Sequence, residues 1–151
     1  MLRYCRDKWY ENKGKLEVAL RETEGLNECD YKTLVEMVVE HILNPADGYD
    51  DTYDKGKITV IDDGDYQGTQ LFMIPADRYQ PSENEYLLTF VNYGSCSGCD
   101  TLKSIQDWGG GKLTDSQIGD FMILCRDLVC NIIKPYNAGW RGDKKYEAIA
   151  E

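Results

Sequence analysis

Apolar residues recur at helical intervals in two segments near the N-terminus. Residues 7–23 carry an apolar stripe among Lys, Glu and Arg residues, which predicts a first amphipathic helix. A second helix is predicted from a cap at Asn27 or Asp30 through Leu43, and Pro45 ends it. The apolar positions are Trp9, Leu16 and Leu20 in the first helix, and Leu34, Met37, Val38, His41 and Ile42 in the second.

The same periodicity returns in the C-terminal half of the chain. A short helix is predicted to begin at Asp100, which is a good N-cap residue. The capping-box pattern Thr114-Asp-Ser-Gln117 predicts a last helix that continues to Pro135. From about residue 136 the chain is polar, and a loose surface tail is predicted. The apolar positions are Leu102, Ile105 and Trp108 in the short helix, and Ile118, Phe121, Met122, Cys125, Leu128, Val129 and Ile132 in the last one.

Three segments between these helical regions have the composition of strands: 58–62, 69–74 and 86–93. The first two are joined by residues 63–68, which are rich in Asp and Gly and typical of a hairpin turn. The pattern therefore predicts an antiparallel meander. We expect a single α+β domain over residues 1–151, in which a three-stranded antiparallel sheet packs with about four helices.

The charge of the chain narrows the partners that it could bind. The 151 residues include 17 basic and 27 acidic ones, which gives a net charge of −10. Such a surface repels phosphate, so direct binding of nucleic acid is not expected, whereas a basic groove on another protein would attract it. A solvated acidic surface with no partner is the plainer interpretation.

The sequence carries no signal for a membrane or for export. No apolar run is long enough to span a bilayer, and the first residues lack the apolar core of a signal peptide. The protein is therefore expected in the cytoplasm, without membrane contact. There its six cysteines should be reduced or metal-bound rather than paired in structural disulfides.

The most distinctive chemistry lies in the segment Cys96-Ser-Gly-Cys99, between the third strand and the short helix. Thiols at the start of a helix have a lowered pKa, because the helix dipole and its free N–H groups favour the thiolate. Thiolates bind soft metals and exchange disulfides. Ordinary turn thiols are the plainer alternative. A structural zinc ion is the cofactor that this spacing favours.

Cys96 and Cys99 can supply two of the four ligands that zinc commonly takes, so other residues must supply the rest. His41 is the single histidine, although its place on an apolar stripe also suits a core or boundary residue. In a meander, the first turn and the exit of the third strand lie at the same end of the sheet. That geometry places Asp65 about 10 Å from the thiols. The candidate ligand set is therefore Cys96, Cys99, His41 and Asp65.

Other kinds of site are less well supported. Cys125 lies on the apolar face of the last helix and is expected to be a small core residue. A thiol–disulfide protein using Cys96 and Cys99 stays open, but the strands that follow the helix in a thioredoxin are missing from the pattern. Phosphate loops, nucleophile elbows and zinc-protease helices are absent from the sequence, so an enzyme is not expected. A calcium loop that begins at Asp51 would have Tyr53 and Lys55 at its third and fifth positions, which are poor ligands, so calcium binding is not expected there.

Two segments resemble a family of small bacteriophage proteins to which no activity is assigned. They are Ile61-Asp-Asp-Gly-Asp-Tyr-Gln-Gly-Thr69 and Tyr93-Gly-Ser-Cys-Ser-Gly-Cys-Asp-Thr-Leu102. Similarity in the regions of Trp9 and Tyr31 extends the resemblance over most of the chain. In size, acidity and expected metal site the chain also resembles zinc-containing anti-CRISPR proteins, which are phage inhibitors of type II RNA-guided nucleases.

The resemblance implies a function in the cytoplasm of a host cell. The leading expectation is a non-enzymatic inhibitor that binds a host nuclease through an acidic surface and blocks its loading with DNA. The alternatives are the thiol–disulfide protein and a phage accessory or virion protein. The segment richest in Asp is the expected contact surface: Asp47, Asp50, Asp51 and Asp54.

Overall fold

A computed structural model describes residues 2–44, 52–137 and 144–147 of the chain. It confirms the α+β class, with four helices and a three-stranded antiparallel sheet. In chain order the helices and strands are α1 (Arg3–Glu22), α2 (Tyr31–Val38), β1 (Thr59–Asp62), β2 (Gly68–Pro75), β3 (Tyr86–Tyr93), α3 (Thr101–Ile105), α4 (Asp115–Cys130), β4 (Lys134–Asn137) and β5 (Lys144–Glu147).

The sheet has the predicted meander topology, in the order β1-β2-β3 with antiparallel neighbours. At one end Gly68 pairs with Tyr93, and at the other end Pro75 pairs with Tyr86. Side chains alternate between the two faces of the sheet, so that Phe72 and Ile74 are buried under the helices. The turn after β1 and the exit of β3 therefore lie at the same end, as the sequence predicts.

Helices α1 and α4 pack together over this sheet and supply much of the core. Leu16 and Leu20 of α1 and Phe121 and Leu128 of α4 are buried. Truncation of one such leucine to alanine typically costs about 2–5 kcal/mol. Helix α1 begins at Arg3, earlier than the predicted residue 7, because Cys5 is also buried in the core.

The second helix has a defined cap and an irregular end. The Asp30 carboxylate accepts a hydrogen bond from the Thr33 amide at 2.9 Å, so Asp30 rather than Asn27 is the cap. Past Val38 the helix widens into a π-helical turn over Val39–Leu43. There the buried Asn12 side chain of α1 donates a hydrogen bond to the Ile42 carbonyl at 3.0 Å, which ties the two helices together.

The capping box of α4 is present as predicted, while α3 is shorter than its apolar pattern suggests. Thr114 accepts a hydrogen bond from the Gln117 amide, and the Gln117 side chain accepts one from the Thr114 amide. Helix α3 ends at Ile105, so Trp108 does not continue its apolar face. Instead, Trp108 is 86% exposed in the loop that follows.

A second, two-stranded sheet lies beyond α4, where the sequence pattern predicts no strands. Strands β4 and β5 pair in antiparallel fashion, with Lys134 opposite Glu147 and Asn137 opposite Lys144. The backbone of Ile133 exchanges two hydrogen bonds with Leu88 of β3, at 2.8 and 2.9 Å. These strands are defined by hydrogen bonds to segments that are distant in sequence. Local apolar periodicity therefore could not predict them.

In the part of the chain that the structure describes, no helix combines the length and the apolar character needed to cross a bilayer.

Candidate functional site

The two cysteines of the Cys96-Ser-Gly-Cys99 segment form a closed turn between β3 and α3. The Cys99 amide donates a hydrogen bond to the Cys96 carbonyl at 3.1 Å, which closes the turn. The Cys96 amide donates to the Cys99 sulfur at 2.9 Å, and the Cys99 thiol lies 3.2 Å from the Cys96 carbonyl oxygen. Both thiols are exposed. The turn thus presents two neighbouring sulfur atoms to solvent.

The Cys99 sulfur is surrounded by hydrogen-bond donors. A hydrogen bond from the Cys96 thiol contributes most to lowering the pKa of Cys99, and the amides of Cys96 and Ser95 add to it. The sequence predicts a lowered pKa from the dipole of the following helix. The structure shows a different cause, because α3 has only five residues and the donors belong to the turn itself. Cys99 is the sulfur best prepared to carry negative charge.

Gly94 fits the turn against the end of β3. A Cβ atom at this position would lie 2.6 Å from the Cys99 sulfur and 2.6 Å from the Cys99 carbonyl oxygen. The Gly94 carbonyl also accepts a hydrogen bond from Lys103 Nζ at 3.0 Å. No side chain larger than hydrogen fits here without displacing Cys99. Gly98, inside the turn, has more room, because a Cβ atom there would approach only the Cys96 sulfur, at 3.9 Å.

Asp100 anchors the turn to the core. Its side chain is the N-cap of α3, accepts a bond from the Gly94 amide at 3.1 Å and another from the Tyr31 hydroxyl at 2.9 Å. The Tyr31 hydroxyl in turn accepts a hydrogen bond from the Leu102 amide at 3.1 Å. Burial raises the pKa of Tyr31 well above its ordinary value. The sequence predicts Asp100 as a cap but gives no sign that Tyr31 reaches it.

An acidic turn, residues 62–66, lies at the same end of the sheet as the cysteine turn. The Tyr93 hydroxyl lies 2.6 Å from the Asp62 carboxylate and 2.7 Å from the Gly64 carbonyl oxygen. The Gly64 amide also donates to Asp62, at 3.0 Å. These bonds lower the pKa of Asp62, with the Tyr93 hydroxyl as the largest cause. The bond to Asp62, together with the charges of Asp63 and Asp65, raises the pKa of Tyr93 to about 12.

The other predicted zinc ligands are divided between the two ends of the sheet. Asp65 belongs to the acidic turn, near Tyr93 and hence on the side of the thiols. His41 borders an open cleft of about 490 Å³ at the opposite end, where the Asp54 amide binds the Pro75 carbonyl. The eight residues of β2 separate these ends by about 23 Å.

The structure therefore does not bring His41 together with Cys96 and Cys99. Sequence spacing could not reveal this, because His41 belongs to the π-helical turn Val39–Leu43, and the packing of that turn against α1 decides where His41 lies. Within residues 2–44, 52–137 and 144–147, no three His, Cys, Asp or Glu side chains are grouped as metal ligands would be. Zinc binding by the thiols stays a prediction, which elemental analysis of protein purified without a metal-chelating tag would decide.

The remaining cysteines have different surroundings. Cys125 is fully buried in the core, as predicted, and burial raises its pKa to about 12. Burial likewise raises the pKa of Cys5 to about 12 and that of Cys29 to about 11. Cys130 is exposed at the end of α4. Burial of Cys5 and Cys125 disfavours the reactive thiolate form, which supports a packing role for both.

Of the predicted partner-binding residues, Asp47, Asp50 and Asp51 lie outside the described residues. Asp54 is described, and its carboxylate accepts a hydrogen bond from the Gly56 amide and pairs with Lys57 at 3.1 Å. The bond to Lys57 is the largest cause that lowers the pKa of Asp54. The acidic turn at residues 62–66 is thus an acidic surface whose geometry the structure does define.

These features define a small α+β domain with a dithiol turn and an acidic turn at the same end of its sheet. Comparison of the chain with protein-family models, curated proteins and solved structures finds no match.

Proposed function

We propose that the protein is a non-enzymatic binding protein whose acidic turn engages a basic surface of a nucleic-acid-binding partner. The observation that carries this proposal is the shape of residues 62–66. Tyr93 holds the turn through Asp62 and Gly64, while Tyr66 next to them is 81% exposed. An exposed aromatic side chain can be buried in a groove of the partner, and the neighbouring carboxylates can attract the positive charge around that groove.

Preorganisation of the turn supports this proposal. A Cβ atom on Gly64 would lie 2.0 Å from the Gln67 carbonyl, so the turn closes tightly. The Asp63 carboxylate accepts a further hydrogen bond from the Thr69 amide at 2.6 Å. A turn held in this way loses little conformational entropy on binding, which leaves more of the contact energy for affinity.

The resemblance to zinc-containing anti-CRISPR proteins suggests a particular partner, a type II RNA-guided nuclease with its guide. Such a complex has a positively charged channel that receives target DNA. An acidic protein would be attracted to this channel over long range and would compete with DNA for it. Direct binding of nucleic acid by a chain with a net charge of −10 is not part of this proposal.

Pull-down and a DNA-binding competition with a nuclease–guide complex test the proposal. We expect Tyr66→Ala to weaken binding roughly thirtyfold if Tyr66 is a central anchor. Asp65→Asn should mainly slow association at low salt, because a carboxylate at the rim of an interface acts through steering. A variant with Asp47, Asp50, Asp51 and Asp54 all changed to Asn tests whether that acidic segment also contributes to binding.

Tyr79→Ala is the matched control for Tyr66→Ala. Tyr79 is 94% exposed, but it lies in the connection between Pro75 and Tyr86, at the opposite end of the sheet. It should bind like the unaltered protein. Equal loss of binding in both tyrosine variants would remove the acidic turn as the contact, and no binding to any such complex would refute the partner.

A further inference from the structure

We propose that Cys96 and Cys99 form a reversible disulfide and exchange with disulfide compounds, with a preference for those that carry positive charge. This activity is separate from the binding function proposed above. The two sulfurs belong to one hydrogen-bonded turn of four residues, from the Cys96 carbonyl to the Cys99 amide. Such a turn holds its first and last Cα atoms within about 7 Å, which is close to the range that a disulfide spans.

The geometry assigns different roles to the two thiols. Cys99 is the attacking sulfur, because the Cys96 amide points at it from 2.9 Å and can hold it in place. Cys96 is the resolving sulfur, three residues earlier in the same turn. Both are exposed, so a small disulfide can reach them. Gly94 leaves the space in which the Cys99 sulfur sits, since a Cβ there would lie 2.6 Å from it.

The reaction proceeds in two exchange steps that balance. The Cys99 thiolate attacks one sulfur of an external disulfide, the bond between its two sulfurs breaks, and one thiolate leaves with the electron pair and takes a proton from water. Cys96 then loses its proton to water and attacks the Cys99 sulfur of the mixed disulfide, which releases the second thiolate, and that thiolate also takes a proton from water. The external disulfide is reduced to two thiols, and the protein gains the Cys96–Cys99 disulfide.

The preference for cationic substrates follows from the acidic turn, which lies at the same end of the sheet as the thiols. Tyr93, which directly precedes Gly94, pairs with Gly68 on the neighbouring strand. The Asp63 carboxylate lies against Gly68, 2.6 Å from where a Cβ on it would stand. Asp62 and Asp65 act on Tyr93 from the same turn. Lys103, whose ammonium group binds the Gly94 carbonyl, opposes these three carboxylates with a single positive charge.

Stopped-flow kinetics with three small disulfides test both parts of the proposal. The reduced, chelator-treated protein reacts in turn with cystamine, which is a dication, with neutral hydroxyethyl disulfide, and with anionic dithiodipropionate. We expect rates in that order and a roughly tenfold ratio between the first and the last at about 0.01 M salt, where the Debye length is about 30 Å. The ratio should approach one at about 1 M salt. Asp65→Asn should reduce this ratio.

Cysteine variants identify the reacting sulfurs by mass spectrometry. Cys96→Ser should stop at a stable mixed disulfide on Cys99, Cys99→Ser should react slowly, and Cys130→Ser, which removes an exposed thiol elsewhere, should react normally. Gly94→Ala should slow the reaction, whereas Gly98→Ala, in the same turn but with free space around it, should not. A Cys96→Ser protein that reacts no faster than an exposed thiol such as Cys130 would overturn the proposal. So would stoichiometric zinc on both thiols that resists the chelator.

Discussion

The two ends of the three-stranded sheet are built in different ways. The end that carries the cysteine turn is held by a buried carboxylate, because Asp100 is only 5% exposed and accepts hydrogen bonds from Tyr31 and from backbone amides. The end that carries the His41 cleft is held by polar groups close to solvent. There the Glu40–Lys55 ion pair has side chains that are 47% and 48% exposed.

The two ends of the sheet should therefore respond differently when their polar interactions are removed. When one partner of a buried hydrogen bond is removed, the polar group that remains stays buried without a partner, and its desolvation destabilises the fold. Substitutions around Asp100 should therefore be poorly tolerated. An exposed ion pair is weakened by water and salt, so at the other end the hydrogen bonds of Asn44 and of the Asp54 backbone matter more. The Asn44 side chain exchanges two hydrogen bonds with the Tyr53 backbone, at 2.9 and 2.8 Å. A thiol site that needs fixed geometry lies at the more rigid of the two ends.

Asp100→Ala should have the largest effect on stability. It removes the N-cap of α3 and leaves the Gly94 amide and the Tyr31 hydroxyl without their partner in the core. We expect a loss of about 3 kcal/mol in the free energy of unfolding, measured with urea. Thr114→Ala, which removes the exposed cap of α4, is the control and should cost about 1 kcal/mol. Equal losses would mean that the buried network adds nothing beyond capping.

Asn44→Ala should have the next largest effect, about 1–2 kcal/mol, because the Tyr53 amide and carbonyl both lose a partner. Combined with Asp100→Ala, the two losses should add to within about 0.5 kcal/mol, since the sites lie at opposite ends of the sheet. Tyr31→Phe combined with Asp100→Ala should instead be clearly non-additive, because those residues share one hydrogen bond. Non-additivity across the sheet would refute the separation of the two ends.

Tyr93→Phe should produce a destabilisation that depends on pH. The Tyr93 hydroxyl lowers the pKa of Asp62 in the folded protein below its unfolded value of about 3.9. A group with a lowered folded pKa stabilises the protein above its unfolded pKa, and that contribution disappears as the pH falls through the folded pKa. The stability difference between the two proteins should therefore be present at pH 7 and shrink below about pH 4. A difference that grows in acid would contradict this origin.

Lys55→Met should have the smallest effect, below about 1 kcal/mol, because the ion pair with Glu40 is half-exposed. The loss should be largest at low salt and should fade at about 1 M salt, where charges are screened within about 3 Å. Thermal unfolding at two salt concentrations measures it. A loss as large as that of Asp100→Ala would mean that the His41 end is as rigid as the cysteine end.

Local features of the chain predicted a large part of the fold. The third strand has the bounds that its composition indicates, and Asp30, Asp100 and Thr114 cap their helices as their residue types suggest. These predictions succeed because caps and strand alternation depend on neighbours a few residues away. The meander also predicted that the acidic turn and the thiols share one end of the sheet, since three short-linked strands allow few arrangements.

Tertiary packing decided the rest. The sequence gives no sign that Asn12 and Tyr31 differ from other helix residues. In the structure both are buried and donate hydrogen bonds to groups at least 30 residues away in the chain. His41 lies on a predicted apolar stripe, but the structure places it at the cleft near Pro75, at the end of the sheet opposite the thiols. The sequence by itself determined the four helices, the three strands of the main sheet and the caps at Asp30, Asp100 and Thr114, because those depend on local spacing. Only the tertiary structure decided which polar groups are buried together, because burial depends on how distant elements pack.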